Sequence, residues 1–529
     1  MRRRVFLSGV SMGGLAAASA RAQSALGTSA LPRPPNTQAA KLDDTVGEGF
    51  NRIVIARWGD GVLPDAPPFN PDPLTGDQAD SQFPYDGVIA ALINPPPAQD
   101  GIPRKVLVVA TPDVPARMVF PGGVDNPDVA GREQGVTVIN LEYLGGRWAS
   151  ADGGYQSRRI ADGTLCQMSG PAAAVLGGTV QGVLAPQGGC ATPWGTALLA
   201  EGDAGAWLQR LANVGYGYAD PAQAPRFGWV VELNPLDPQS IPIKRTALGR
   251  LARAGLAATQ TKDGRPVVFF TQDDPAGFLF RFIAATNATD GTALDSGTLS
   301  VAQIQGSAIN WVDLGTDVPT LAGLAGAAAQ AGASPFDAPG GLALTADGAT
   351  LYLACRGNAA RTQADALNPR AGDNNGHIIS FAIPGGDVTA KSFAGKLVLV
   401  AGNPASAPGT KYGPGSQAWL RQPRTLDFDT QGQLWIGTDQ GGDTSKTADG
   451  LFIMQTGSGA PYLLNVAYLA PKGAAMGGAA FDAMTRTTFG MVRHPGATPT
   501  ASFNFPATRW PTLKPSMPPQ STVIGLVQR

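Results

Sequence analysis

Histidine and cysteine are scarce in this chain, two of the former and three of the latter in 529 residues, and the spacing of the cysteines matches no metal-binding motif. Charge is sparse too. Charged residues make up 15% of the chain, and 39 Lys and Arg against 40 Asp and Glu leave a formal net charge of -1. With no basic block to neutralise a run of phosphates, the composition argues against nucleic acid as a partner. Beyond the first 22 residues no apolar run approaches the roughly 18 that a membrane span needs. What is abundant is glycine and proline, 69 and 45 residues respectively. Both interrupt helices, so short strands joined by tight turns are expected, and the predicted fold class is all-β.

The N-terminus reads as an address. Arg2, Arg3 and Arg4 precede Val5-Phe6-Leu7, and a weakly apolar Gly/Ala-rich stretch follows to Ala20-Arg21-Ala22. That order is similar to a twin-arginine signal with cleavage before Gln23, so residues 1–22 are expected to be removed and the mature protein to be periplasmic or extracellular. Gly9-Val10-Ser11-Met12-Gly13 matches the nucleophile elbow G-x-S-x-G, but it lies inside this signal and lacks the strand-turn-helix context the elbow requires. Residues 23–46 read as a flexible lead-in, and 47–529 as one domain. In an oxidising compartment Cys166, Cys190 and Cys355 allow one disulfide with one thiol left over. Three small buried side chains are the alternative.

Along the domain, short apolar runs alternate with Gly, Pro, Asn and Asp clusters: 106–109, 136–141, 229–233, 267–270 and 278–283. A partial repeat sets Pro339-Gly-Gly-Leu342-Ala-Leu344 and Leu351-Tyr352-Leu353 beside Pro423-Arg-Thr-Leu426-Asp-Phe428 and Leu434-Trp435-Ile436. A looser copy runs from Gly478 to Met491. Each is a hairpin of the kind from which propeller blades are made, so a β-propeller is predicted. The strand-like segment 521–526 is expected to return to an early blade and close the ring, which removes exposed edges.

Several segments together resemble the PhoX alkaline phosphatase family and follow its order. They are Arg57-Trp58-Gly59-Asp60, Tyr155-Gln-Ser-Arg158-Arg159-Ile160, Ser169-Gly170-Pro171-Ala172-Ala173, Thr192-Pro193-Trp194-Gly195-Thr196, Arg226-Phe227-Gly228-Trp229-Val230-Val231-Glu232, Lys244-Arg245-Thr246-Ala247-Leu248-Gly249-Arg250, Leu294-Asp295-Ser-Gly297-Thr298-Leu299 and His494-Pro495-Gly496. The resemblance implies six blades, with iron and calcium at the central mouth hydrolysing phosphate monoesters.

The same resemblance exposes departures. Where the family has its metal-binding N-H-E, this chain reads Ala110-Thr111-Pro112. Its cysteine and paired glutamates become Ala200, Glu201 and Gly202, and its H-E falls at Arg253-Ala254. R-P-E-D becomes Ala338-Pro339-Gly340-Gly341, and a later P-D becomes Pro423-Arg424. The candidate metal ligands left over are Asp86, Glu201, Asp273, Asp274 and Asn358, and His377 also survives. A cluster of hard multivalent cations needs many oxygen ligands and compensating carboxylates, so this reduced set predicts no iron cluster and at most calcium. Arg253, Arg356, Arg424 and Arg493 are the candidate ligand-binding residues, because guanidinium groups suit a small anionic ligand. The leading expectation is a non-catalytic binding or scaffold protein. The alternatives are a phosphate monoester hydrolase with a reduced metal site, and a calcium-dependent lactonase-type hydrolase using Glu201, Asn358 and Asp274. Trp58, Trp194, Trp229 and Trp435 are expected to be core residues.

Overall fold

The computed structural model describes residues 38–529 except 152, 213, 215–219, 445–446 and 457–461. The expected signal segment, residues 1–22, and its elbow-like motif lie outside the described residues. But for their first residues Trp229 and Phe278, all five apolar runs singled out above fall in strands: Arg104–Thr111, Gly135–Leu144, Val230–Leu233, Pro266–Gln272 and Leu279–Ala284. The helices between them are short, and Gly205–Ala212 is the longest among the described residues. Glycine and proline thus act as anticipated, and the fold is mostly strand and propeller-like.

Each repeat copy is an antiparallel hairpin. Pro339–Leu344 pairs Thr350–Cys355, Pro423–Phe428 pairs Leu434–Thr438, and Ala475–Asp482 pairs Thr487–Arg493. The first strands of these hairpins share the centre of the molecule with Val88–Ile93, Pro186–Ala191 and Arg253–Gln260. Each of these inner strands packs against the next, and the last returns to the first. Together they enclose a central cavity of about 560 Å³. Small residues make that approach feasible: a Cβ on Gly477 would lie 2.2 Å from the Gly87 carbonyl oxygen, and one on Gly255 2.4 Å from that of Gly340.

The C-terminal strand Thr522–Gln528 lies between Phe50–Arg57 and Thr487–Arg493, so both ends of the domain share one sheet, as the sequence suggested. The two strand sets Arg253–Gln260 to Ala308–Asp313 and Pro339–Leu344 to Ser392–Val400 join edge to edge into a nine-stranded sheet. Part of the expected lead-in is docked. Thr45–Val46 pairs with Tyr468–Leu469, the Gln38 carbonyl accepts from the Ala448 amide, and Ala40 packs on the apolar core. All three cysteines are free, so the disulfide alternative is corrected. Cys166 and Cys355 are buried, and burial pushes the Cys166 thiol up to about 12, leaving it largely unionised at neutral pH.

Candidate functional site

The ends of the inner hairpins converge on one mouth of the central cavity. Asp86 immediately precedes the strand Val88–Ile93, Arg424 sits at the start of Pro423–Phe428, and Arg493 ends Thr487–Arg493. Three residues just past a second strand stand at matching register. Asp273 follows Gln272, the partner of Arg253; Arg356 follows Cys355, the partner of Pro339; and Asp439 follows Thr438, the partner of Pro423.

An ion-pair chain crosses this mouth. The Arg493 Nε and Nη2 donate to the two carboxylate oxygens of Asp86 at 2.9 and 2.7 Å, and its Nη1 donates to Asp439 Oδ2 at 2.8 Å. Asp439 Oδ2 also lies 3.6 Å from Arg424 Nη1, while Arg424 Nη2 donates to Gln187 Oε1 at 2.9 Å. Arg356 donates to Asp273 at 2.8 Å, and both are near enough to act on the titration of Arg424. Burial opposes every charge here, but the partners decide which charges persist. Desolvation works against Asp439 and Asp86, yet Arg493 outweighs it, helped at Asp439 by Arg424, and both carboxyls stay below the usual range. Desolvation likewise works against Arg493, and Asp86 with Asp439 more than offsets it. Burial works against Arg424 and prevails, because its nearest acid, Asp439, is shared with Arg493, and its pKa falls below the ordinary value. The buried Arg356 Nε has no hydrogen-bond partner among the described residues.

Five of the sequence-level candidates therefore meet: Asp86, Asp273, Arg356, Arg424 and Arg493. The others are engaged differently. Arg253 is fully buried, with its guanidinium 4.8 Å above the Phe270 ring. It donates to the carbonyl oxygens of Gly228 at 2.7 Å, Leu251 at 3.1 Å and Leu248 at 2.9 Å, and to that of Gly249. Burial pulls its pKa down to about 9, and its two terminal nitrogens are spent on the carbonyls of Gly228 and the 248–251 loop rather than on an anion. Glu201 is fully buried: Oε1 accepts from Lys244 Nζ at 2.8 Å and from the Leu184 amide at 3.1 Å, Oε2 from the amides of Gly228 and Trp229. Both oxygens being engaged, it has none to offer a cation. Asp274 lies in an exposed turn and accepts from the Ala276 amide at 2.8 Å; Asn358 accepts from the Ala360 amide at 2.9 Å. His377 is fully buried, and burial pushes its pKa down to about 4. Asp439 and Gln187 were missed by the sequence reading. The repeat does hold a signal for Asp439, since aligning its two better copies sets Asp439 on Arg356.

The model for the family "Alkaline phosphatase PhoX" matches residues 34–496. The chain belongs to the PhoX family. A solved structure of Pseudomonas fluorescens PhoX in complex with vanadate, a transition state analogue, is 25% identical, with 93% of this chain and 97% of that chain covered at a TM-score of 0.82. A gluconolactonase from Xanthomonas campestris is 10% identical over 92% of this chain and 98% of that one, at a TM-score of 0.34. No curated protein matches.

Motifs shared with the PhoX family mostly build scaffold. Trp194 Nε1 and Thr196 Oγ1 donate to Glu232 at 3.0 and 2.8 Å, Arg245 bridges Glu232 and Asp295 at 2.8 and 2.9 Å, and Ser169 donates to Asp295 at 2.6 Å. One polar network thus ties five of those segments together. The donors at the mouth do not fit the iron and calcium that the PhoX family implies. Among the described residues no group of three or more His, Cys, Asp or Glu side chains is placed to hold a metal ion, and the two most buried mouth carboxylates already face guanidinium groups.

Proposed function

We propose that this PhoX family member is exported by the twin-arginine route, has six blades, and acts outside the cytoplasm as a non-catalytic binding or scaffold protein that takes a small anion at Arg356 and Arg424. In support of six blades, the central cavity is walled by the six inner strands named above. In support of export, the N-terminal arginine pair precedes an apolar stretch and an A-x-A site. No helix among the described residues is long and apolar enough to cross a membrane.

The observation that carries the functional reading is Arg493, held between Asp86 and Asp439. A fixed guanidinium there supplies the positive charge that balances the mouth carboxylates, and a multivalent cation beside it would be repelled. Arg424 and Arg356 are less fully neutralised, which leaves donors for a phosphate-sized anion. Vanadate in the Pseudomonas fluorescens relative supports an oxyanion as the ligand class.

Metal analysis of the purified mature protein with an aryl phosphate assay tests the reading. We expect substoichiometric iron, no hydrolysis, and inorganic phosphate or vanadate binding that weakens at least tenfold, about 1.4 kcal/mol, in Arg424→Ala. Stoichiometric iron with turnover of the aryl phosphate would instead establish a working hydrolase.

A further inference from the structure

The wall of the central cavity is largely Ala, Gly, Val, Leu and Ile, but Asp427 on the inner strand Pro423–Phe428 also lines it. Its Oδ2 accepts one hydrogen bond, 3.1 Å from the Ala479 amide of the neighbouring inner strand. No Lys or Arg is within ion-pair distance of it among the described residues, in contrast to the paired carboxylates of the mouth. The other charged or titratable groups on the wall have partners of their own or lie at the mouth end. Arg424 faces Gln187 and Asp439, and Asp429 accepts from the Trp435 indole at 3.0 Å. The Cys190 thiol is pushed up to about 12 by burial and stays neutral. Opposite Asp427 in the ring, Pro186–Ala191 carries no charged side chain, the cavity-lining part of the nearer Val88–Ile93 is wholly apolar, and the strand Leu434–Thr438 paired with Pro423–Phe428 carries no charge.

A carboxyl in an apolar cavity with a single amide donor is costly to ionise and lacks the cation that would relieve it. The complementary guest brings a positive head and an apolar tail. We propose that the central cavity binds an aliphatic primary ammonium compound, with its charged head on the Asp427 carboxylate and its chain along the apolar wall. This ligand class is opposite in charge to the one proposed for the mouth, and the two sites stand or fall separately. A cavity of about 560 Å³ accommodates a chain of medium length.

Burial lifts the Asp427 carboxyl to about 8, so in the empty protein it is mostly protonated at neutral pH. Binding of an ammonium head then requires the proton to leave. Titration calorimetry of the full mature protein with n-octylamine, run at pH 7 in two buffers of different ionisation enthalpy, is expected to register close to one proton released per amine bound. Affinity should rise about tenfold from pH 7 to pH 9, following the ionised fraction of a group titrating near 8. Octanol, which has the same tail and no charge, should bind at least tenfold more weakly. Asp427→Asn, which keeps the shape and the acceptor for Ala479, should remove both the amine preference and the proton release. No binding of octylamine, equal binding of octanol, or an unchanged profile in Asp427→Asn would each overturn the proposal. The proton count on the unaltered protein decides the matter should that variant fail to fold.

Discussion

Arg493 serves two buried carboxylates at once, and its removal would leave Asp86 without its ion-pair partner and Asp439 with the more distant Arg424. Breaking a buried pair from one side costs about 3–5 kcal/mol, because the remaining charge stays desolvated. Arg493→Met is expected to lose that much stability in urea unfolding, and adding Asp86→Leu should recover part of it, since an apolar pair replaces a stranded charge. A recovery of nothing would mean that Asp86 is held by something other than Arg493. At this scale the sequence disclosed which residue types were present and in which motifs they stood. It did not disclose pairing: Glu201 looked like a leftover ligand, and only the position of Lys244, fully buried 2.8 Å away, makes it half of a structural ion pair. Such partners are 43 residues apart in the chain, and no local pattern marks them.

Hairpins were the most legible elements, because alternation and Gly- or Asp-bearing turns are local properties of the chain. The repeat at 339–353 and 423–436 lies on inner hairpins as expected. Less legible was the two-residue strand Thr45–Val46, whose pairing with Tyr468–Leu469 spans nearly the whole chain and is too short to leave a period. The parallel contact of Ile243–Arg245 with Gln167–Ser169 was equally hidden. Ring closure rests on one element, since Thr522–Gln528 is the strand between Phe50–Arg57 and Thr487–Arg493. Truncation after Gln520 would expose two strand edges and unburden Val523, Ile524 and Leu526 of their core contacts. We expect the truncated chain to aggregate or to melt well below the intact protein, as read by size-exclusion chromatography and circular dichroism. A monomer with an unaltered melting curve would show that the ring holds without its closing strand.

Over the whole molecule, buried carboxyls without a full cationic partner set the response to pH. Burial raises Glu133 to about 7, against Arg159 and the Tyr85 amide, and raises Asp449 to about 7 with the help of Asp439. A carboxyl whose folded pKa lies above its unfolded one contributes stability that is complete at low pH and is lost as pH rises through the folded value. His377 works in the opposite sense but below about 6.5, so the window from pH 6.5 to 8 belongs to the carboxyls. Each should cost roughly 1 kcal/mol across that window. The thermal midpoint is expected to fall from pH 6.5 to 8, and Asp449→Asn to flatten the fall; a midpoint that rises instead would contradict both shifts. What the sequence determined by itself was the all-β class, the hairpin unit and the family, because turn chemistry, alternation and ordered motifs are written residue by residue. What only the tertiary structure decided was which charges meet. The mouth gathers acids and arginines from distant hairpins into mutual neutralisation, while Asp427 is left on an apolar wall, and the field at a residue depends on neighbours that the chain order does not name.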